Sequence, residues 1–341
     1  MRYSGRLFGV AALVAAGLAG QTAPPRVEVR AVEAVSMPGA ADSNSPGQWI
    51  DGIFYLFNSN GNPVRTHGTD PLRLGGARAV LFYDYASRHL RWIEATWLDP
   101  NGVLFAWYHT EVEVCHEEQL SAPEIGALVS WDKGATFYDL GIVLKSGDGA
   151  DCTAANGYFG SGHGDFSVVA DRDGSYFYFH FGNYGGDPSR QGVAVARMAV
   201  EDRWEPVGKV WKFDNGGWES EGLGGAVTPI FPVQASWAAW NTDAFWGPSV
   251  HFNTHLNKFV MLMNRSCCDA RWPQEGVYIS AVEDLGQPFQ WSVPAKVMDG
   301  VGWYPQVLGL GAGESDKLAG QSPRLFVGGY SAWELVFALP Q

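Results

Sequence analysis

The sequence predicts an all-β protein, and the architecture that fits it best is a five-bladed β-propeller. Five segments share one plan, in which a polar start leads into an apolar strand, a turn at Gly, Asn or Asp, and a returning strand. They follow one another at intervals of roughly 50 to 80 residues, as repeated blades do. The 43 Gly and 15 Trp of the 341 residues supply turns and flat packing surfaces. No long segment has a helical period.

The starts of the five segments are the positions from which a site would be built. In a propeller the first strand of every blade lines a central funnel. Residues at the starts are distant in sequence but would converge on one polar pocket. The starts are residues 43–46, 92–95, 162–165, 246–249 and 303–306.

The beginning of the chain predicts export. Arg2 and Arg6 precede a short apolar run that closes on small residues, the pattern of a secretory signal. We therefore expect a signal peptide over residues 1–22, a single propeller domain over 23–341, and a secreted or periplasmic protein. No later run approaches 18 apolar residues, which argues against membrane insertion.

Residues 27–35 alternate apolar and charged side chains ahead of the first repeat. This pattern predicts a strand that belongs to no complete blade of its own. In a ring it would complete the last blade beside residues 325–327 and 335–337, and so remove an open sheet edge.

The four cysteines suit an oxidising compartment, although their spacing leaves three pairings open. We favour a bridge from Cys115 to Cys152, because both lie in loop-like sequence around one blade. Cys267 and Cys268 are adjacent, and a bond between neighbours would strain the disulfide.

The net charge of −13 argues against a nucleic acid or an anionic membrane as partner, because their phosphates would repel the protein. No phosphate-binding loop occurs, since the glycines at 222–225 lack the dinucleotide spacing. A neutral ligand is favoured, and no protein partner can be inferred.

Two blades carry family-like motifs. Residues 130–137, Ser-Trp-Asp-Lys-Gly-Ala-Thr-Phe, resemble the Asp-box of sialidases and other propellers, a hairpin to which we assign no chemistry. Residues 165–178 resemble the signature of five-bladed glycoside hydrolases related to arabinanases and β-xylosidases, with Phe166 in place of the usual Pro. That resemblance implies that Asp165 lies in the funnel and tunes the catalytic acid. It also implies that Asp171 and Asp173 are turn residues.

Blade four departs from the same family. Related enzymes often begin this blade with Glu-Gly-Pro, whose Glu is the general acid, but this chain has Trp246 ahead of Gly247 and Pro248. Either another carboxylate supplies the proton or the site is not hydrolytic in that manner.

Cleavage of a glycosidic bond usually needs one protonated and one ionised carboxyl group. From the blade starts we predict Asp42 as the base, Asp165 as the modulating or orienting carboxylate, and Glu94 as the replacement acid. For each, the alternative is a turn, cap or surface carboxylate. Further acidic candidates are Glu111, Glu219, Glu221 and Glu275.

Substrate contacts are expected from aromatic and polar side chains near the funnel mouth. Each has an alternative as a core or strand-bonding residue, and Arg265 could instead pair with Asp269. The predicted set is Trp49, His109, Glu111, His163, Trp246, Asn264, Arg265 and Tyr304. No zinc spacing occurs and no cofactor is required. Similar propellers leave open a structural calcium or sodium ion in the funnel.

These features predict an exported glycoside hydrolase that cleaves a polysaccharide or oligosaccharide, such as a furanoside. Two alternatives remain from the sequence. The first is a carbohydrate-binding propeller without activity, which the missing blade-four acid favours. The second is a sialidase-like hydrolase, which the blade starts disfavour because they lack an arginine set.

Overall fold

A computed structural model describes residues 23–83, 90–269 and 271–339. The predicted signal peptide lies outside the described residues. Five small, mostly antiparallel sheets form a five-bladed β-propeller, as predicted from the repeats. Across the described ranges, none of the helices has the length and hydrophobicity needed to span a bilayer.

In the described residues, three short 3₁₀ helices occur between the strands. The strands are β1 (Arg26–Ser36), β2 (Gly47–Ile50), β3 (Ile53–Asn60), β4 (Asn62–Gly68), β5 (Gly75–Ala79), β6 (Leu81–Tyr83), β7 (Trp92–Leu98), β8 (Leu104–Cys115), β9 (Leu120–Ser130), β10 (Thr136–Leu144), β11 (His163–Ala170), β12 (Tyr176–Asn183), β13 (Gly192–Ala199), β14 (Val210–Asp214), β15 (Gly217–Glu221), β16 (Phe231–Pro232), β17 (Ala244–Asn253), β18 (Lys258–Ser266), β19 (Gln274–Val282), β20 (Ala295–Asp299), β21 (Pro305–Leu308), β22 (Leu318–Ala319), β23 (Arg324–Val327) and β24 (Tyr330–Ala338). The 3₁₀ helices span Pro188–Arg190, Val200–Trp204 and Pro288–Gln290.

Each blade is a meander whose first strand lies innermost. The cores of the blades are β2–β5, β7–β10, β11–β15, β17–β20, and β21 with β23, β24 and β1. The chain leaves blade one after β5, because β6 pairs in parallel with β10 of blade two, from Leu81 opposite Thr136 to Tyr83 opposite Tyr138.

The chain closes the ring with its first described strand. β1 pairs antiparallel with β24 from Arg26 opposite Ala338 to Ser36 opposite Tyr330, which confirms the prediction from the alternating pattern. Val27 and Val29 pack against the last blade, while the intervening charged residues face solvent. β1 is thereby the outermost strand of blade five and pairs with the edge that β24 would otherwise leave open.

Apolar side chains between neighbouring blades hold the ring together. Blades two and three share Trp107, Phe166, Phe177 and Phe179, all nearly inaccessible to solvent. Burying each such side chain contributes roughly 1.5 to 3 kcal/mol. Comparable clusters fill the other four gaps, so the inner strands are fixed from both sides.

The innermost strands of blades two, three and four each carry a β-bulge near the start. Register shifts fall between Ile93 and Ala95, between Gly164 and Ser167, and between Trp246 and Ser249. Bulges re-aim side chains and are frequent beside functional sites. Here two of them carry Glu94 and Asp165.

The motif turns behave as structural elements. Ser130 Oγ donates to Asp132 Oδ1 at 2.8 Å, and Asp132 Oδ1 accepts from Thr136 N at 2.9 Å, which closes the turn between β9 and β10. Asp171 accepts from Ser175 N at 2.7 Å, as expected of a turn residue. The carboxylates of Asp132 and Asp171 are thus used in turn hydrogen bonds, and we assign them no catalytic role.

The expected disulfide from Cys115 to Cys152 is present and ties the end of β8 to the loop before β11. A second bridge joins the adjacent Cys267 and Cys268, a pairing that the sequence argument disfavoured. The peptide bond between these two residues is cis, and their Cα atoms lie 3.1 Å apart.

Candidate active site

Inner strands from different blades meet through polar contacts at their starts. The side-chain amide of Asn44, just ahead of β2, donates to Phe166 O at 2.8 Å and to Pro248 O at 3.0 Å. Glu94 Oε2 accepts from Phe166 N at 3.2 Å. Blades one, two, three and four are therefore linked at one end of the funnel, the end that carries the predicted carboxylates.

Glu94 is completely buried at the centre of this network. Its Oε1 lies 2.5 Å from His109 Nδ1, and its other oxygen is held by backbone N–H groups. Burial raises the pKa of Glu94 well above its usual value, against the lowering effect of the backbone hydrogen bonds from Phe166 and Asn44. The predicted acid therefore has no direct path to a substrate in this conformation.

Asp165 is held by two tyrosines. Tyr304 OH donates to Asp165 Oδ1 at 3.0 Å, and Tyr184 OH donates to the other oxygen. Asp165 has a left-handed backbone, with φ of 43°, at the bulge of β11, and such conformations concentrate at functional sites. Burial and the neighbouring Glu94 charge raise the pKa of Asp165 to about 6.

His109 connects the buried carboxylates to the surface of the funnel. Trp92 stacks on its ring at 4.8 Å between centroids and 7° between planes. Its Nε2 lies 4.0 Å from Glu111 Oε1. Burial lowers the pKa of His109, although Asp165, Glu111 and Asp42 each act in the opposite direction. A neutral ring that bonds Glu94 through Nδ1 fits this environment.

Asp42 and Glu111 are the half-buried carboxyl groups of the cluster. Burial raises the pKa of Asp42, against the charge of His109 and a hydrogen bond from Trp92. Burial also raises the pKa of Glu111, with His109 opposing and the charges of Asp165 and Asp42 adding to the shift. These mutual effects place Asp42, Glu111, His109 and Asp165 in one electrostatic cluster, which we call the acidic cluster together with Glu94.

Aromatic residues back the acidic cluster on the side of blades three to five. Tyr184 and Tyr304 pack with Trp246 and Trp272, and Trp303 lies partly exposed above them. Trp246 has no exposed surface, and its Nε1 donates to Gln274 Oε1 at 3.1 Å. The residue at the expected acid position of blade four is therefore a packing residue that supports Tyr304.

Several predicted substrate contacts lie apart from the funnel mouth or inside the core. Arg265 forms a two-pronged ion pair with Asp243, at 2.8 and 2.9 Å, and Asn264 bridges Gly302 O and Tyr304 N. His163 is buried against Phe181. Trp49 packs on Phe54, and its Nε1 donates to Glu314 O. Their roles in binding stay predictions, but Asn264 at least positions Tyr304.

Sequence reasoning missed Tyr184 and Trp92 as members of the site. Tyr184 follows β12 and reaches Asp165 only because β12 pairs with β11, a register that no motif announces. Trp92 stood inside a recognised blade start, opposite His109 in the register of β7 and β8. Strand pairing was the signal that could have identified it.

The structural calcium or sodium ion that the resemblance left open stays a prediction, and one place inside the ring already holds a positive charge. Inside the ring, the Lys317 ammonium lies 2.9 Å from Ser167 Oγ and 3.2 Å from Asp316 Oδ2. A positive charge already occupies the place where an ion would bind these oxygens. Within the described ranges, the two groupings with metal-ligand geometry both consist largely of disulfide sulfurs.

No family model and no curated protein matches this chain in sequence. Solved structures match it in fold. A candidate exo-β-1,3-galactanase of Bifidobacterium bifidum s17 aligns over 91% of this chain and 92% of its own, with a TM-score of 0.52 and 14% identity. The exo-β-1,3-galactanase of Phanerochaete chrysosporium, solved with galactose, aligns over 89% of this chain with a TM-score of 0.51 and 11% identity.

The chain spans 64% of the length of the Phanerochaete protein. A thermostable family-43 glycoside hydrolase aligns over 89% of this chain and 92% of its own, with a TM-score of 0.50 and 12% identity. At sequence identities this low, the similarity shows a shared fold only. The chain thus has the five-bladed propeller fold that these glycoside hydrolases have.

Proposed function

We propose that this protein is a secreted glycoside hydrolase whose active centre is the acidic cluster. The observation that carries the proposal is the meeting of Asp42, Glu94, Glu111 and Asp165 around His109 at one end of the funnel. Carboxyl groups with perturbed pKa values that cluster together are frequent at functional sites. The fold shared with glycoside hydrolases supports the same conclusion.

Asp42 and Glu111 are the groups that we assign to the reaction. Glu111 is the general acid in this assignment, because its raised pKa keeps a proton available for the leaving oxygen. Asp42 is the carboxylate that activates water or attacks the anomeric carbon. The sequence predicted Glu94 as the general acid. Because Glu94 is fully buried, we assign it a different role, which is to orient the His109 ring through Nδ1.

Asp165 keeps the modulating role predicted for it. Hydrogen bonds from Tyr304 and Tyr184 hold the Asp165 carboxylate in a fixed orientation. Its charge raises the pKa of Glu111 and so favours the protonated acid. The same charge opposes the lowering of the pKa of His109.

We propose a neutral oligosaccharide or polysaccharide as substrate. The net charge of −13 and the acidic cluster would repel uronic or sialic acids. β-1,3-galactan is a candidate because it is the substrate class of two proteins with this fold, and arabinan is a candidate because of the sequence motif. A hydroxyl-rich neutral ring could stack on the partly exposed Trp303 and bond the cluster.

Sugar release from a panel tests the proposal. Purified protein would be incubated with β-1,3-galactan, arabinan, polygalacturonate and aryl glycosides, and reducing ends would be measured. We expect release from a neutral substrate and its loss in both Asp42→Asn and Asp165→Asn. Asp51→Asn, an exposed acid at the β2–β3 turn, is the matched control and should keep full activity.

A carbohydrate-binding propeller without activity is the second candidate, and the packing role of Trp246 favours it. Calorimetric binding of a panel member without any release would establish that function instead. If no panel member is either cleaved or bound, both candidate functions are wrong.

A further inference from the structure

A segment of the chain enters the propeller ring on the side away from the acidic cluster. Residues 309–320, which we call the axial segment, connect β21 to β23. Within it, β22 pairs in parallel with β17, the innermost strand of blade four. Trp49 Nε1 of blade one donates to Glu314 O in the same segment. The axial segment therefore lies inside the ring and contacts two blades.

The axial segment carries Lys317 into the interior. The ammonium donates to Ser167 Oγ of β11 at 2.9 Å and pairs with Asp316 at 3.2 Å. Asp316 Oδ1 accepts from Gly47 N at 2.9 Å, and Ser167 Oγ accepts from Val250 N at 3.1 Å. One partly buried cation, whose side chain is 17% exposed, thus sits at the junction of blades one, three and four.

Ser167 connects this cation to the acidic cluster. It stands two residues after Asp165 and directly follows Phe166, whose N–H holds Glu94 at 3.2 Å. The positive charge of Lys317 also acts on Glu94 itself, opposing the rise that burial gives to the pKa of Glu94. The buried His180 and His251 feel the same charge, and burial together with Lys317 lowers the pKa of each to about 3.

Lys317 can be reached from outside. It lines a cavity of about 490 Å³ formed by the later residues of the inner strands, among them Gln48, Thr96, Val168 and Phe252. The acidic cluster lies at the starts of the same strands, so this cavity opens on the opposite side of the funnel. A small molecule could therefore approach the ammonium without passing the acidic cluster.

We propose that Lys317 is a positioning residue for the acidic cluster: its ammonium holds β11 at Ser167, two residues after Asp165, and balances the charge of the buried Glu94. Lys317 contacts no reacting atom. The effect on activity rests on the proposed function, whereas the effect on stability does not.

The first test replaces Lys317 by Met, which keeps most of the volume and removes the charge. Glu94 has a raised pKa in the fold, so its contribution to stability is full below its unfolded value and is lost as the pH rises. Without Lys317 that loss is larger. We expect the Tm to fall by about 5 °C or more at pH 8 and by less than about half of that at pH 4.5.

Two companion variants separate charge from packing. Lys209→Met removes an exposed lysine of blade three whose ion pair with Asp202 measures 3.9 Å, and it should leave the Tm unchanged at both pH values. Lys317→Arg keeps the charge and should keep the wild-type pH dependence even if its Tm is lower. If Lys317→Met does not fold, the pH dependence of the Tm of Lys317→Arg tests the proposal in its place.

The second test restores the charge from solution. Lys317→Ala leaves a hole of the shape of propylammonium, which can enter through the cavity. Added propylamine should raise the Tm of this variant saturably, and 1-propanol, which has the shape without the charge, should not. If a neutral substrate is cleaved, kcat of Lys317→Met should fall about tenfold with little change in KM.

A Tm loss in Lys317→Met that is equal at pH 4.5 and pH 8, with no response of Lys317→Ala to propylamine, would show that Lys317 only fills space. The proposal would then be wrong. If no sugar is cleaved but both stability effects appear, the proposed function fails and the role of Lys317 in the fold stands.

Discussion

At the scale of single residues, exposure separates carboxyl groups that the sequence presents as equals. Glu94 and Asp165 are enclosed by His109, two tyrosines and backbone amides, whereas Asp42 and Glu111 are only half-buried. A buried carboxylate can tune its neighbours but cannot meet a sugar. This difference is the reason for assigning proton donation to Glu111.

Glu111→Gln tests that assignment. We expect kcat to fall by roughly 10²- to 10⁴-fold on natural substrates, because the leaving oxygen loses its proton donor. A dinitrophenyl glycoside needs no protonation and should be cleaved with little loss. The alkaline limb of the pH profile should disappear, since it reports deprotonation of Glu111.

Glu113→Gln is the matched control, because Glu113 lies two residues along the same strand and is exposed. It should retain wild-type rates on both substrates. Equal losses on the natural and the activated substrate in Glu111→Gln would show that Glu111 is not the proton donor.

Asp165→Asn gives a prediction about stability and pH. Burial and the neighbouring Glu94 raise the folded pKa of Asp165 from its usual value to about 6. Its contribution is therefore favourable below the unfolded pKa and is lost as the pH rises through about 6. The variant has no charge to bury, so its Tm relative to wild type should increase between pH 4 and pH 7.

Thermal unfolding of both proteins across that range would measure the difference. A variant whose Tm relative to wild type falls with rising pH would show that the ionised Asp165 stabilises the fold, contrary to the sign argued here.

At the scale of elements, the β-bulges and the long β8–β9 hairpin shape the site. The bulges turn Glu94 and Asp165 toward the funnel. The hairpin carries His109 and Glu111, and its outer end is bonded to the loop before β11 by Ser121 N to Tyr158 O at 2.9 Å and by the disulfide from Cys115. Glu111 is thus positioned by an element anchored at both ends.

Removing the Cys115–Cys152 bridge tests that anchor. The two cysteines are separated by 37 residues, and a loop of this length predicts a loss of about 4 kcal/mol in the free energy of unfolding for the double Ser variant. Denaturant unfolding would measure it. A loss below about 1 kcal/mol would mean that the backbone bonds at Ser121 hold the loop alone.

Much at this scale was predictable from sequence. The five starts and the closing strand follow from alternation and turn residues, which are local signals. The parallel addition of β6 to blade two and the entry of the axial segment depend on contacts between distant residues, so no local pattern announces them. Tyr184 and Lys317 were missed for the same reason, since their partners are fixed only by the assembled ring.

At the scale of the whole molecule, ring closure makes the site. β1 from one end of the chain pairs with β24 from the other, so the last blade is complete and the five inner strands are held at fixed distances. Asn44 and Gln306 then link blade one to blades three, four and five across the axis. Carboxyl groups far apart in sequence share one environment because of this closure.

The most direct test of this account is a crystal structure of the Asp42→Asn variant with an oligosaccharide of the substrate found in the panel. We predict that a sugar ring lies over the start of the inner strands, with its glycosidic oxygen within hydrogen-bond distance of Glu111 and its anomeric carbon facing residue 42. A sugar bound on an outer blade surface or in the cavity beside Lys317, with the acidic cluster empty, would contradict the account.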